Sequence, residues 1–262
     1  MAPGWNIGIK ESKGDYVLRI DGHTIVESNF LSSYLKVIEK NSEASCVGGV
    51  IISRGLGFIG QVNEYIYSHS FGVGNSKFRT LKKDWEGYVD TVPYGAYNRE
   101  VFNQIGYFNE NLKRNEDLEF HKRLKDVGGS FYLSTSIRSV YFVRNSIKGL
   151  IDKSLGDGTW NIIADRITPG SLRIRHKIPL VAFSMCLFLL FLTPFSKTAF
   201  WILTFFILLY LILNIVFSLG IIHVKGLKYY FPTIFNFFLL HFFRGFGSFK
   251  AIFKKEFWKS YK

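Results

Sequence analysis

No charged side chain occurs across the 25 residues from Thr198 to Ile222, and this run constrains the chain more than any other feature. Wound as a helix rising 1.5 Å per residue, it exceeds the roughly 30 Å hydrocarbon core of a bilayer. A second apolar run, Ile178 to Phe195, is 18 residues long and follows Arg173, Arg175 and Lys177. It stands at the lower end of spanning length, so transmembrane helices are expected at 178–195 and 198–222. A third run, Phe231 to Phe243, has 13 residues and carries Asn236 and His241, which suits an interfacial or re-entrant segment. Extended to Phe249, it is the alternative third crossing. Two crossings return the chain to its starting side, with Lys225, Lys228 and the Lys250–Lys262 cluster beside Arg173–Lys177, as the positive-inside pattern requires.

The charge balance follows the same division. Of a net +13, most belongs to the tail, where twelve Lys or Arg stand against the single acidic residue Glu256 between Ser171 and Lys262. Basic residues that flank apolar runs face anionic membrane lipid; nucleic acid is not the partner they point to. A transport role is disfavoured, because neither spanning run holds an ionisable acid or base. Two cysteines, Cys46 and Cys186, build neither a disulfide framework nor a zinc site. The opening Met-Ala-Pro-Gly-Trp has no basic start or apolar core of a signal peptide, so the soluble part is expected on the cytoplasmic face of a multi-pass inner-membrane or plasma-membrane protein.

Up to Thr168 the chain has the mixed composition of a water-soluble domain, which sets domains at 1–168 and 169–262. Asp15–Ile20 reads as a strand ending at the turn pair Asp21-Gly22, Phe30–Ile38 as a helix by apolar spacing, and Cys46–Ser53 as a buried strand. Strand, helix and strand in that order predict a parallel α/β sheet. Gly57–Phe71 is expected to be helical and Gly72–Lys83 a loop. Short elements follow: a strand at Tyr88–Val92, helices at Arg99–Ile105 and Glu116–Val127 with Asn115 as N-cap, and strands at Phe131–Leu133 and Val140–Val143.

Two clusters carry potential chemistry. Asp21-Gly22-His23 places a carboxylate and an imidazole beside one turn at a strand end, a pairing able to hold a divalent ion on a diphosphate, although Asp-Gly alone marks only a turn. Asn115-Glu116-Asp117 places carboxylates at a helix start, where Asp117 can act as a general base; acidic residues also favour that position through the helix dipole alone.

The wider context narrows these readings. Val92-Pro-Tyr-Gly-Ala-Tyr-Asn-Arg99, the segment Ile105-Gly-Tyr-Phe-Asn-Glu110 and the helix opening at Glu116-Asp117 and ending at Gly128 strongly resemble the acceptor side of family 2 glycosyltransferases. That resemblance implies a GT-A, Rossmann-like fold, Asp117 as the catalytic base with Glu116 beside it, and Gly95 and Ala96 as part of the acceptor floor. Ser12–Thr24 resembles the lead into the family's Asp-x-Asp motif, with His23 in place of the second Asp. The Asp-x-His form is similar to the succinoglycan-biosynthesis branch and implies a Mn²⁺ or Mg²⁺ diphosphate site held by Asp21 and His23. Gly158-Thr-Trp-Asn161 resembles an aromatic segment of that branch, and its Trp160 either stacks on a sugar or packs beneath the domain. His241 and Arg244–Gly247 resemble its last membrane-adjacent segment, where helix packing is the expected role.

Family members begin with a further strand and helix and a base-binding carboxylate, and the resemblance starts after them, at the helix before Asp21. The expectation is therefore a GT-A glycosyltransferase domain lacking its first βα unit, with an unpaired strand edge, followed by C-terminal transmembrane helices. The implied activity is inverting transfer of a hexose from a UDP-sugar to a polyprenyl-diphosphate-linked sugar or polysaccharide, in exopolysaccharide or cell-surface glycan synthesis. The alternative is an inactive remnant bound to a complementing glycosyltransferase chain.

Overall fold

The computed structural model describes residues 2–22 and 24–259. Its elements run α1 (Ala2–Glu11), β1 (Tyr16–Leu18), β2 (Thr24–Val26), α2 (Phe30–Lys40), β3 (Cys46–Arg54), α3 (Gly57–Ser68), α4 (Ser70–Val73), α5 (Lys77–Thr80), β4 (Glu86–Val89), β5 (Ala96–Asn98), α6 (Glu100–Ile105), α7 (Glu116–Asp126) and β6 (Phe131–Phe142). Then come α8 (Ile147–Ile167), α9 (Ile174–Leu192), α10 (Lys197–Ser218), α11 (Gly220–Lys225), a 3-10 turn, α12 (Tyr230–Ala251) and α13 (Lys255–Trp258).

Two compact units form, and they interleave in sequence. The first comprises Met1–Arg54, Ser68–Val143 and Ala164–Ser171; the second comprises Gly55–Tyr67, Arg144–Ile163 and Leu172–Lys262.

The first unit is a sheet with helices against it. Strand order is β1-β5-β3-β6-β2, and β4 also pairs with β6. The long strand β6 shares one margin between β4, antiparallel through Phe131–Ser134, and β2, antiparallel through Ser139–Tyr141. Its other margin runs parallel to β3. Central β3 is buried along Cys46–Ile51, which explains its near-continuous apolar run. Helix α2 buries Phe30, Tyr34, Val37 and Ile38, the one-faced helical spacing visible in its sequence.

An all-parallel sheet is not what forms. Strand β5 inserts between β1 and β3 and runs antiparallel to both, so the strand–helix–strand segment β1–α2–β3 does not pair with itself. The two final strands expected at 131–133 and 140–143 are one strand of 12 residues, with a register shift opposite Gly48–Val50. Residues 72–83, expected as loop, contain the end of α4 and all of α5. Strand β1 lies at the margin of the sheet, with β5 its partner among the described residues.

In the second unit α9 and the stretch Lys197–Lys225 are long and apolar enough to cross a membrane, with mean hydropathy 1.6 and 2.7. Their apolar side chains face outward: 0% of the first window and 17% of the second is buried, where a core helix of a soluble protein would be covered. The third apolar run forms part of a single 22-residue helix, α12, which buries Asn236, Phe237, Leu240, Gly245 and Gly247. Within it Asn236 donates to the Asn63 side chain at 2.9 Å, and His241 Nδ1 lies 3.1 Å from the Tyr210 hydroxyl.

Candidate active site

Asp21 follows β1, and its carbonyl accepts the Thr24 amide at 3.0 Å, closing the turn predicted at Asp21-Gly22. Its carboxylate is partly exposed and stands 3.5 Å from the Arg19 guanidinium. His23, the second residue of the Asp-x-His reading, lies outside the described residues. Among those described, no three His, Cys, Asp or Glu side chains form a metal-binding group.

Thr24 opens β2 and reaches across to the Pro93–Ala96 segment, where its hydroxyl donates to the Tyr94 hydroxyl at 2.7 Å. The Tyr94 carbonyl accepts from the Tyr34 hydroxyl of α2 at 2.5 Å. These two bonds hold Tyr94 at φ 46°, a left-handed conformation that is costly for an aromatic residue. Gly95 follows because a Cβ there would lie 2.4 Å from the Cys46 sulfur. Ala96 enters β5 between β1 and β3 and is buried.

Asn115 occupies the residue before α7, as its sequence predicts, but its side chain does not cap the helix. It adopts φ 59°, and its carbonyl accepts the Leu118 amide at 3.2 Å. Asp117 supplies the missing side-chain acceptor, taking the Leu118 N–H at 2.9 Å while remaining partly exposed. Glu116 points inward: it is buried, its Oε2 has no hydrogen-bond partner among the described residues, and burial, with the neighbouring Asp117 charge second, raises its carboxyl to about 7. Tyr94 and Asn115 are the non-glycine residues at positive φ among the described residues, and each immediately precedes a predicted site pair, Gly95-Ala96 and Glu116-Asp117.

Several residues without a sequence-derived role fix α7. Glu119 is 2% exposed, makes a two-pronged pair with Arg123 at 2.7 and 3.0 Å, and accepts from Thr168 at 2.9 Å. Arg123 also donates to the carbonyls of Ile105 and Tyr107, joining α7 to the loop after α6. His121 bridges the Thr91 hydroxyl at 2.7 Å and the Tyr97 hydroxyl at 2.6 Å. Burial lowers its pKa to about 3, so the ring is neutral. Asn6 of α1 donates to the Phe108 carbonyl and to Glu110, both at 2.9 Å, and accepts the Phe108 amide at 3.0 Å. The i, i+4 spacing of Glu119 and Arg123 was the one signal legible beforehand.

Trp160 belongs to the second unit, where it is buried in α8. Arg244–Gly247 in that unit forms close helix contacts: a Cβ on Gly245 would lie 2.6 Å from the Pro179 carbonyl oxygen, and one on Gly247 would lie 2.4 Å from that of Leu155.

The first unit is thus a mixed α/β sheet with carboxylates at a strand-end turn and at a helix start. Residues 1–106 match the family Glycosyl transferase family 2. The chain is also 26% identical over 159 residues to a Methanococcus voltae protein, dolichyl N-acetyl-alpha-D-glucosaminyl phosphate 3-beta-D-2,3-diacetamido-2,3-dideoxy-beta-D-glucuronosyltransferase. That similarity covers 59% of this chain and 49% of the relative, so the chain spans about half the length of the curated relative it matches.

Proposed function

We propose that this chain is a membrane-associated inverting glycosyltransferase that moves a hexose from a UDP-sugar to a polyprenyl-linked sugar during assembly of a cell-surface glycan. The observation that carries this reading is the pair of left-handed residues, Tyr94 and Asn115, held immediately before Gly95-Ala96 and Glu116-Asp117. For an aromatic residue such as Tyr94, strain of about 1–3 kcal/mol persists only where surrounding structure enforces it, and such strain concentrates at sites that must present groups in fixed directions. The relative's name specifies a dolichyl-phosphate-linked sugar as acceptor, which supports a polyprenyl carrier here. The outward-facing apolar helices of the second unit support membrane association, the setting in which such a carrier is presented.

In this reading Asp117 accepts the proton of the attacking acceptor hydroxyl. Its partial exposure in the first turn of α7 leaves the carboxylate accessible to an acceptor hydroxyl. Glu116, buried behind it with a raised pKa, carries a proton for much of the neutral range and so does not add a second full charge beside the base. Gly95 and Ala96 give the acceptor a floor without side-chain bulk.

A divalent ion fits the residues at the strand-end turn. Asp21 has a partly exposed carboxylate with one long ion pair, and Mn²⁺ or Mg²⁺ is commonly held by one or two carboxylates together with substrate phosphates and water. Asp21, with His23 by its sequence position, would hold the ion, which would neutralise charge building on the departing diphosphate.

The test is transfer itself. Full-length chain in detergent, given a panel of UDP-sugars, Mn²⁺ and polyprenyl-diphosphate-linked sugars, should release UDP and extend one acceptor by one sugar. Failure across the panel with folded protein would overturn the proposal.

A further inference from the structure

Arg19 lies within the Ser12–Thr24 segment, two residues before Asp21, and no role was assigned to it there. Its guanidinium carbon lies 3.3 Å from the centroid of the Trp5 ring, so the planar group is stacked on the indole. A terminal nitrogen meets Asp21 Oδ1 at 3.5 Å, a long contact. The Nε is buried and has no hydrogen-bond partner among the described residues. Among the described residues, five N–H donors thus share one weak acceptor.

This arrangement is costly unless something else completes it. A buried donor without a partner loses its hydration and gains nothing in return. Stacking on an aromatic face fixes the plane of a guanidinium while using none of its donors, which leaves the in-plane fork available to an oxyanion. The positive charge is felt by Glu116, Tyr97 and His121, so Arg19 lies within electrostatic reach of the start of α7 as well as beside Asp21.

We infer that Arg19 is a phosphate-binding residue of the donor site, its guanidinium fork taking oxygens of the nucleotide-sugar diphosphate beside Asp21. This inference rests on the donor reading proposed above. As the bond from the anomeric carbon to the diphosphate oxygen breaks, its electron pair stays on that oxygen. The acceptor oxygen forms the new bond to the anomeric carbon and its proton passes to Asp117. Arg19 stabilises the anion that leaves. Arginine suits this position better than lysine, because two parallel N–H donors match two phosphate oxygens.

Binding measurements test the assignment without turnover. Full-length chain in detergent with a chelator present is titrated with UDP and with inorganic pyrophosphate, by calorimetry and by tryptophan fluorescence, since Trp5 carries the stacked guanidinium. Arg19→Gln should weaken both ligands about tenfold or more, while Lys40→Gln, which removes an exposed charge from α2, should leave both unchanged. Arg19→Lys keeps the charge without the fork and should also lose affinity; it carries the test if the melting curve shows Arg19→Gln to be unfolded. Wild-type affinity in the folded Arg19 variants would overturn the inference and leave the donor reading standing. Failure of wild-type protein to bind UDP, with or without Mn²⁺, would overturn the donor reading and this inference with it.

Discussion

The Thr24 hydroxyl donates to the Tyr94 hydroxyl at 2.7 Å, joining the strand-end turn that holds Asp21 to the segment that leads into Gly95-Ala96. The two residues are 70 positions apart, and each adjoins one of the two motifs read from the sequence. Thr24→Val and Tyr94→Phe should each reduce transfer, and a double-mutant cycle on folding stability should give a coupling of about 1 kcal/mol. Additive effects would mean that the bond does not link the two motifs.

Asn115 tolerates φ 59° because its short polar side chain suits the left-handed region. Asn115→Gly should fold and transfer sugar much as wild type does. Asn115→Val should lose about 1–2 kcal/mol in denaturant unfolding, since a β-branched residue cannot adopt this conformation without strain. Equal stability of the two variants would refute the strain assignment.

Glu116 makes stability depend on pH. Its folded carboxyl titrates at about 7 against an ordinary 4.5, so between those values the folded state retains a proton that the unfolded state has released. Stability from this site is therefore fully present below about 4.5, falls as pH rises toward about 7, and levels off above. Glu116→Gln cannot ionise, so its melting temperature relative to wild type should rise between pH 4.5 and pH 8. A constant difference across that range would contradict the assignment.

His121 is a structural bridge that stays neutral. Its replacement by Leu strands the hydroxyls of Thr91 and Tyr97 in the core and should cost about 2–4 kcal/mol. In wild-type protein its ring signals should not titrate between pH 5 and 9, which NMR of a histidine-labelled sample would establish.

Two glycine substitutions should act in opposite directions. Gly247→Ala puts a methyl group 2.4 Å from the Leu155 carbonyl oxygen, so α12 must shift from α8, and the melting temperature in detergent should fall. Gly8→Ala in α1 meets no atom within 4 Å and should raise it slightly, by removing the entropy cost of glycine in a helix.

The parts of this protein that were legible in its sequence are those governed by local pattern. Apolar spacing identified α2, a continuous apolar run identified β3, and uninterrupted hydrophobicity located α9 and α10. Strand order was not legible, because β5 is a three-residue strand in Ala96–Asn98 whose insertion between β1 and β3 depends on partners 50 to 80 residues away. Helix α8 carries glycines at 149, 156 and 158 and no clear apolar stripe, so its sequence looks unlike a 21-residue helix. Of the site, the carboxylates Asp21, Glu116 and Asp117 announced themselves through the turn and helix start they occupy. The groups that hold and tune them did not. Arg19, Tyr94 and His121 acquire their roles only through long-range contacts with Trp5, Thr24, Thr91 and Tyr97.

The role proposed for Asp117 is that of the base in a sugar transfer. It is tested most directly by comparing single-turnover transfer from a UDP-sugar to a polyprenyl-diphosphate-linked acceptor in wild type and Asp117→Asn, with UDP binding measured on the same samples. The expected transfer rate of Asp117→Asn is lower by about 10²-fold or more, with UDP affinity preserved. Undiminished transfer by folded Asp117→Asn would contradict it.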